Sequence, residues 1–95
     1  MIRIMTADES ANRTITVDGK LSGEGVEPVE ACCVRALSRG VTVRLHLRDV
    51  STIDEFGQAM LRRLVSQGVD LTANGVSSAY IVSEIQSTVQ RGRRG

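Results

Sequence analysis

The chain has 95 residues, 41% of them apolar and 24% charged, which suits one globular core and leaves no room for a second. Twelve basic and eleven acidic residues leave a net charge of +1, so no global field steers the chain to nucleic acid or to a membrane surface. Two aromatic residues, Phe56 and Tyr80, do not supply stacking platforms for bases or sugars, and apolar runs as short as Ala79–Val82 exclude a transmembrane helix.

Ile2 and Ile4 alternate around Arg3 and predict a short first strand, without the apolar stretch of a signal peptide. A cytoplasmic protein is expected. The polar stretch Ala7–Asn12 reads as a turn. Thr14-Ile15-Thr16-Val17 alternates and predicts a second strand ending near Asp18-Gly19, paired with the first as an antiparallel hairpin. From Glu27 the period changes, and Val29, Cys32, Cys33, Ala36 and Leu37 follow helical spacing. Glu24, Glu27 and Glu30 near its start, Pro28 in the first turn, Arg35 and Arg39 near its end and Gly40 beyond it match the helix dipole and its usual boundaries.

Val41–Arg48 alternates strictly, with Val41, Val43, Leu45 and Leu47 on one face and Thr42, Arg44, His46 and Arg48 on the other. A short loop is expected next. A second helix follows from about Glu55 to Gln67, with Asp54 as its N-cap, Gly68 as its stop, and Phe56, Met60, Leu61, Leu64 and Val65 on its apolar side. Val69–Thr72 is a fourth strand, Asn74-Gly75 a turn, and Ser78–Gln90 a third helix capped by Ser77 or Ser78.

The order ββαβαβα demands parallel pairing and right-handed crossovers from about residue 41 onward. The expected fold is a two-layer α/β sandwich: a mixed four-stranded sheet with three helices on one face. Arg3, Thr14, Thr16, Arg44, His46, Arg48 and Asp70 would then line the polar face. Residues 1–90 form the single domain, and Arg91-Gly92-Arg93-Arg94-Gly95 a basic, disordered tail. Its three arginines would lend little affinity for phosphate at physiological salt.

Few residues suggest chemistry. Cys32 and Cys33 are adjacent, a poor geometry for a mutual disulfide, and two ligands without a second pair make no zinc site. Both read as small reduced residues of a helix. His46, the only histidine, reads as a solvated residue or an oligomer contact; a general-base role would need a nucleophile that the neighbouring sequence does not offer. Gly19, Gly23 and Gly25 are too loosely spaced for a phosphate loop, and Lys20 lacks the following hydroxyl residue. Glu24, Glu27 and Glu30 are explained by the helix dipole. No catalytic residue, metal or cofactor is expected.

The segment Leu47–Leu61 stands apart. A strand leads to an acidic cap that opens a helix with Gly57 inside its first turn, which costs roughly 1 kcal/mol of helix propensity against alanine. Close approach of another backbone would justify that glycine. Phe56 beside it is either a core residue or, if exposed, an anchor for a partner.

This segment resembles the STAS domain shared by sulfate transporters and bacterial anti-sigma factor antagonists, in which a hydrophobic strand meets an Asp-Ser-Ser/Thr-Gly-like turn leading into a helix. Val43–Leu47 corresponds to the strand, Asp49–Ile53 to the approach and Asp54-Glu55-Phe56-Gly57 to the turn. Gly19-Lys20-Leu21 is similar to the family's Gly-x-Leu, and Gln67-Gly68-Val69-Asp70-Leu71 to its Gly-x-x-Leu, so the resemblance spans about residues 14–85.

In the antagonists, the serine after the aspartate is phosphorylated by a kinase-like anti-sigma factor, and phosphate breaks their contact. Here Asp54 is kept, Glu55 stands at the phosphoserine position, Phe56 replaces the second hydroxyl residue, and Gln58 and Ala59 depart from the usual Leu-Gly. The resemblance therefore implies a module without the ordinary phospho-switch, Glu55 carrying about one charge where phosphoserine carries roughly 1.5 to 2. Ser51 and Thr52 precede the aspartate, out of register.

The expected function is a non-catalytic module that docks a protein partner through Ser51, Thr52, Asp54, Glu55, Phe56, Gly57, Gln58 and Leu61. A kinase-like anti-sigma factor is the partner the resemblance implies. The alternative is a stand-alone STAS subunit of a cytoplasmic lipid- or anion-transporter complex. A small enzyme using His46 or the cysteines is a third reading, for which the sequence suggests no substrate.

Overall fold

The computed structural model describes residues 2–74 and 80–85, and its sheet begins with a longer hairpin than the sequence predicts. Strand β1 spans Ile2–Glu9 and strand β2 spans Asn12–Leu21, paired antiparallel from Ile2↔Gly19 to Glu9↔Asn12. The turn expected over Ala7–Asn12 shrinks to Ser10-Ala11, with Ser10 at φ 56°. Ala7, Asp8, Glu9 and Asn12 are instead solvent-exposed strand residues on either side of that turn. Across the tip, Arg13 Nε donates to Asp8 Oδ1 at 2.6 Å.

A single 3₁₀ turn, Gly23–Gly25, leads into helix α1, Val26–Ser38. Strand β3 spans Thr42–Ile53, five residues past the predicted end at Arg48. It runs parallel to β2, with register shifts between Val17 and Asp18 and between Gly19 and Lys20, so that Arg48 and Ser51 have no partner position on β2. These irregularities break the alternation beyond Leu47, while ladder pairing continues to Leu21↔Ile53. The loop expected over Asp49–Ile53 is therefore strand.

Helix α2 spans Glu55–Ser66, and strand β4, Asp70–Ala73, pairs parallel to β3. The sheet order is β1-β2-β3-β4, with one antiparallel and two parallel pairings. Residues 80–85 are helical, with Val82 and Ile85 buried. The remainder of the predicted third helix, its serine cap, Gly75 and the basic tail lie outside the described residues. The fold is α/β, a mixed open sheet with three helices.

The core lies on one face of the sheet. Ile15, Val17, Val43, Leu45, Leu47 and Leu71 from the strands meet Val29, Cys33, Ala36, Met60, Leu61 and Leu64 from the helices in one cluster. The alternate strand residues form the opposite, polar face. There Arg44 Nε donates to Asp70 Oδ2 at 3.1 Å, Arg48 makes a two-pronged ion pair with Asp18, and His46 Nδ1 lies 2.7 Å from Thr72 Oγ1. Among the described residues, no helix is long and apolar enough to cross a membrane.

Candidate functional site

The site begins where β2 and β3 end side by side. Their parallel register sets Leu21 beside Ile53, so the turn after β2 and the start of α2 leave the sheet together. Asp54 N–H donates to the Leu21 carbonyl at 3.3 Å. The Asp54 side chain then joins both segments: Oδ1 accepts from Gly57 N–H at 2.8 Å as the helix N-cap, and Oδ2 accepts from Gly23 N–H at 3.0 Å. These two N–H donors, Gly57 first and Gly23 second, hold the Asp54 carboxyl below the usual carboxylate range.

Gly57 answers the propensity problem that the sequence poses. A β-carbon there would overlap the Leu21 carbonyl oxygen and come within 3.1 Å of Ile53 Cγ2. The first turn of α2 lies directly on the end of β2, and only glycine fits.

This anchoring leaves the two preceding side chains outside. Glu55 is exposed at the first helical position, where its charge complements the helix dipole, and Phe56 is 71% exposed. The apolar side expected for α2 thus loses Phe56, whose position is turned away from the sheet by the seating of Gly57. Met60, Leu61 and Leu64 remain on the buried side.

The remaining predicted contact residues are divided. Ser51 and Thr52 are exposed on β3, and Gln58 is half-buried. Leu61 is fully buried in the core cluster, one helical turn below the surface display, so its side chain cannot form part of an outer contact. That expectation is corrected: Leu61 supports the helix from beneath. Gly57, also buried, contributes by its fit against β2.

Other residues join the surface. A shallow groove of about 420 Å³ lies between α1 and α2, lined by Val26, Glu27 and Glu30 on one side and Phe56, Ala59 and Arg63 on the other. Arg63 closes it with a two-pronged ion pair to Glu30, at 2.9 and 3.0 Å, and this guanidinium holds the Glu30 carboxyl below its ordinary range. The spacing Phe56, Ala59, Arg63 marks one helical stripe and was legible in the sequence; its apposition to Glu27 and Glu30 needed the fold.

Chemically, the arrangement offers an apolar ring held in water by a rigid helix start, flanked by the exposed carboxylates of Glu55 and Glu27. It suits binding. His46 lies elsewhere, on the polar sheet face against Thr72 and between Arg44 and Arg48, each of which has its own carboxylate partner. Cys33 is buried on α1, and Cys32 half-buried beside it. No protein-family model matches the chain, and no curated protein matches it.

Proposed function

We propose that the protein is a non-catalytic regulatory module that docks a protein partner through the start of α2, with Glu55 and Phe56 as the contact and the α1–α2 groove beside them. The observation that carries this reading is Phe56, 71% exposed on a backbone fixed by Asp54 and Gly57. A large ring held in water on a rigid support is the form a binding hot spot takes. Together with the resemblance of Asp54–Gly57 to the anti-sigma factor antagonist turn, it makes a kinase-like anti-sigma factor in the cytoplasm the partner of choice. Glu55 then supplies a permanent charge at the position that phosphorylation would otherwise control.

The test is an affinity pull-down from host lysate with wild-type, Glu55→Ser and Phe56→Ala baits, read by mass spectrometry and followed by affinity measurement. The expected result is a kinase-like protein, captured more strongly by Glu55→Ser and weakened about 5- to 30-fold by Phe56→Ala, the range for a 1–2 kcal/mol anchor. Recovery of a permease or its ATPase would favour the transporter-subunit reading. Equal binding by all three baits would remove the α2 start from the interface.

A further inference from the structure

We infer that the outer edge of β1 is a self-association site, where a second copy of this chain adds its own β1 antiparallel across a two-fold axis at Thr6. β1 is an edge strand of eight residues, and among the described residues no strand lies on its outer side. Edges are ordinarily blunted by proline, bulges, shortness or charged side chains, and of these β1 carries only charges, Arg3, Asp8 and Glu9. β1 contains no proline, and its register with β2 runs without a shift over all eight pairs.

The hairpin sets which backbone groups face outward. A two-residue loop closes on the pair Glu9↔Asn12, so Glu9, Ala7, Met5 and Arg3 turn their N–H and C=O groups toward β2. Ile2, Ile4, Thr6 and Asp8 turn theirs outward. An antiparallel partner that uses these groups about Thr6 pairs Thr6 with the same residue of the second copy and Ile4 with Asp8.

Charge then selects this register. Its other pairs set Arg3 opposite Glu9 and Met5 opposite Ala7, twice each by symmetry. Arg3 and Glu9 are exposed; Arg3 lies across the ladder from Asp18, whose carboxylate its charge favours but whose ion pair is with Arg48, and among the described residues neither Arg3 nor Glu9 has an ion pair of its own, whereas Asp8 is held by Arg13. Met5 is 36% exposed on the same face. Opposite charges at the two ends of one strand favour the antiparallel arrangement, since parallel self-pairing would align like with like. The two-fold closes on itself and joins the two sheets into one. An edge-to-edge contact is small, so the association is reversible and depends on concentration.

Sedimentation analysis of the full chain across micromolar to millimolar concentration tests this. Wild type should pass from monomer to dimer, while Arg3→Glu and Glu9→Arg each shift the midpoint at least about tenfold upward. The double variant Arg3→Glu/Glu9→Arg should restore it. Thr6→Pro removes an outward N–H at the axis and leaves the β1·β2 ladder intact, so it should be monomeric with an unchanged circular dichroism spectrum. A wild type monomeric throughout, a dimer indifferent to both reversals and to Thr6→Pro, or assembly beyond the dimer would overturn the inference.

Discussion

The Oδ2 atom of Asp54 accepts a 3.0 Å hydrogen bond from the N–H of Gly23, 31 residues earlier, while Oδ1 caps α2 through Gly57. One carboxylate therefore satisfies two backbone donors on different segments. Asp54→Ala removes both acceptors, and its urea midpoint should fall below that of Asp54→Asn, whose side-chain carbonyl oxygen still caps one donor. Equal midpoints for the two variants would show that the second bond adds nothing.

Acid should destabilise the protein through this carboxyl together with three others. The carboxyls of Asp54, Asp18, Asp8 and Glu30 are all held low in the folded state, Asp54 by backbone N–H groups and the others by Arg48, Arg13 and Arg63. The unfolded chain, with carboxyls near 4, takes up protons first as pH falls. The stability these groups supply is present above about pH 4 and is lost progressively as pH falls through their folded values. Thermal midpoints should be flat from pH 7 to about 5 and drop below 4, and Asp54→Asn should flatten that acid limb. An acid limb identical to wild type would contradict the assignment.

Gly57→Ala should reverse the usual rule for helices. Alanine normally gains up to roughly 1 kcal/mol over glycine within a helix. Here its β-carbon meets the Leu21 carbonyl, and the overlap should cost about 1–3 kcal/mol by chemical denaturation. A more stable variant would mean that α2 does not rest on β2 at this point.

Phe56→Ala should change folding stability by less than about 0.5 kcal/mol, as for other exposed positions. Met60→Ala, one turn on and fully buried, should cost about 2–5 kcal/mol. This contrast separates the displayed side of α2 from its packed side. A large loss from Phe56→Ala would return the ring to the core.

The adjacent cysteines should react unequally. Burial, with Cys32 and Glu30 nearby, pushes the Cys33 thiol up to about 12, so almost no thiolate exists at neutral pH. Iodoacetamide should label Cys32 first in the native protein and both residues in urea, as read by peptide mass spectrometry. Equal native labelling would place Cys33 at the surface.

The sequence declared the parts of this fold that follow one period. Val43, Leu45 and Leu47 alternate and are buried, and Met60, Leu61 and Leu64 repeat at helical spacing and are buried. It concealed the rest of β3, because the shifted register around Arg48 and Ser51 erases alternation while the ladder continues. The hairpin tip was hidden likewise, since Met5–Glu9 are exposed on both faces of β1 and so have no buried face for a run of apolar residues to mark. At the candidate site, Asp54 as a cap and Gly57 as a close approach were legible from local chemistry. The Gly23 bond and the Glu30–Arg63 pair join residues more than thirty apart, which no local pattern encodes.

The two donors that Asp54 gathers also differ in how they reach it. Gly57 comes within reach once the first turn of α2 nucleates. Gly23 is brought to Asp54 by the parallel pairing of β2 and β3 across the whole of α1, a non-local contact of the kind that slows folding. The two bonds of Asp54 thus divide into one made within α2 and one that exists only where β2 and β3 are paired. A nascent or partly opened chain would carry Glu55 and Phe56 on a loosely tethered helix end. Under the proposed docking role, a partner that reads the tethered geometry would respond to finished folding as well as to abundance.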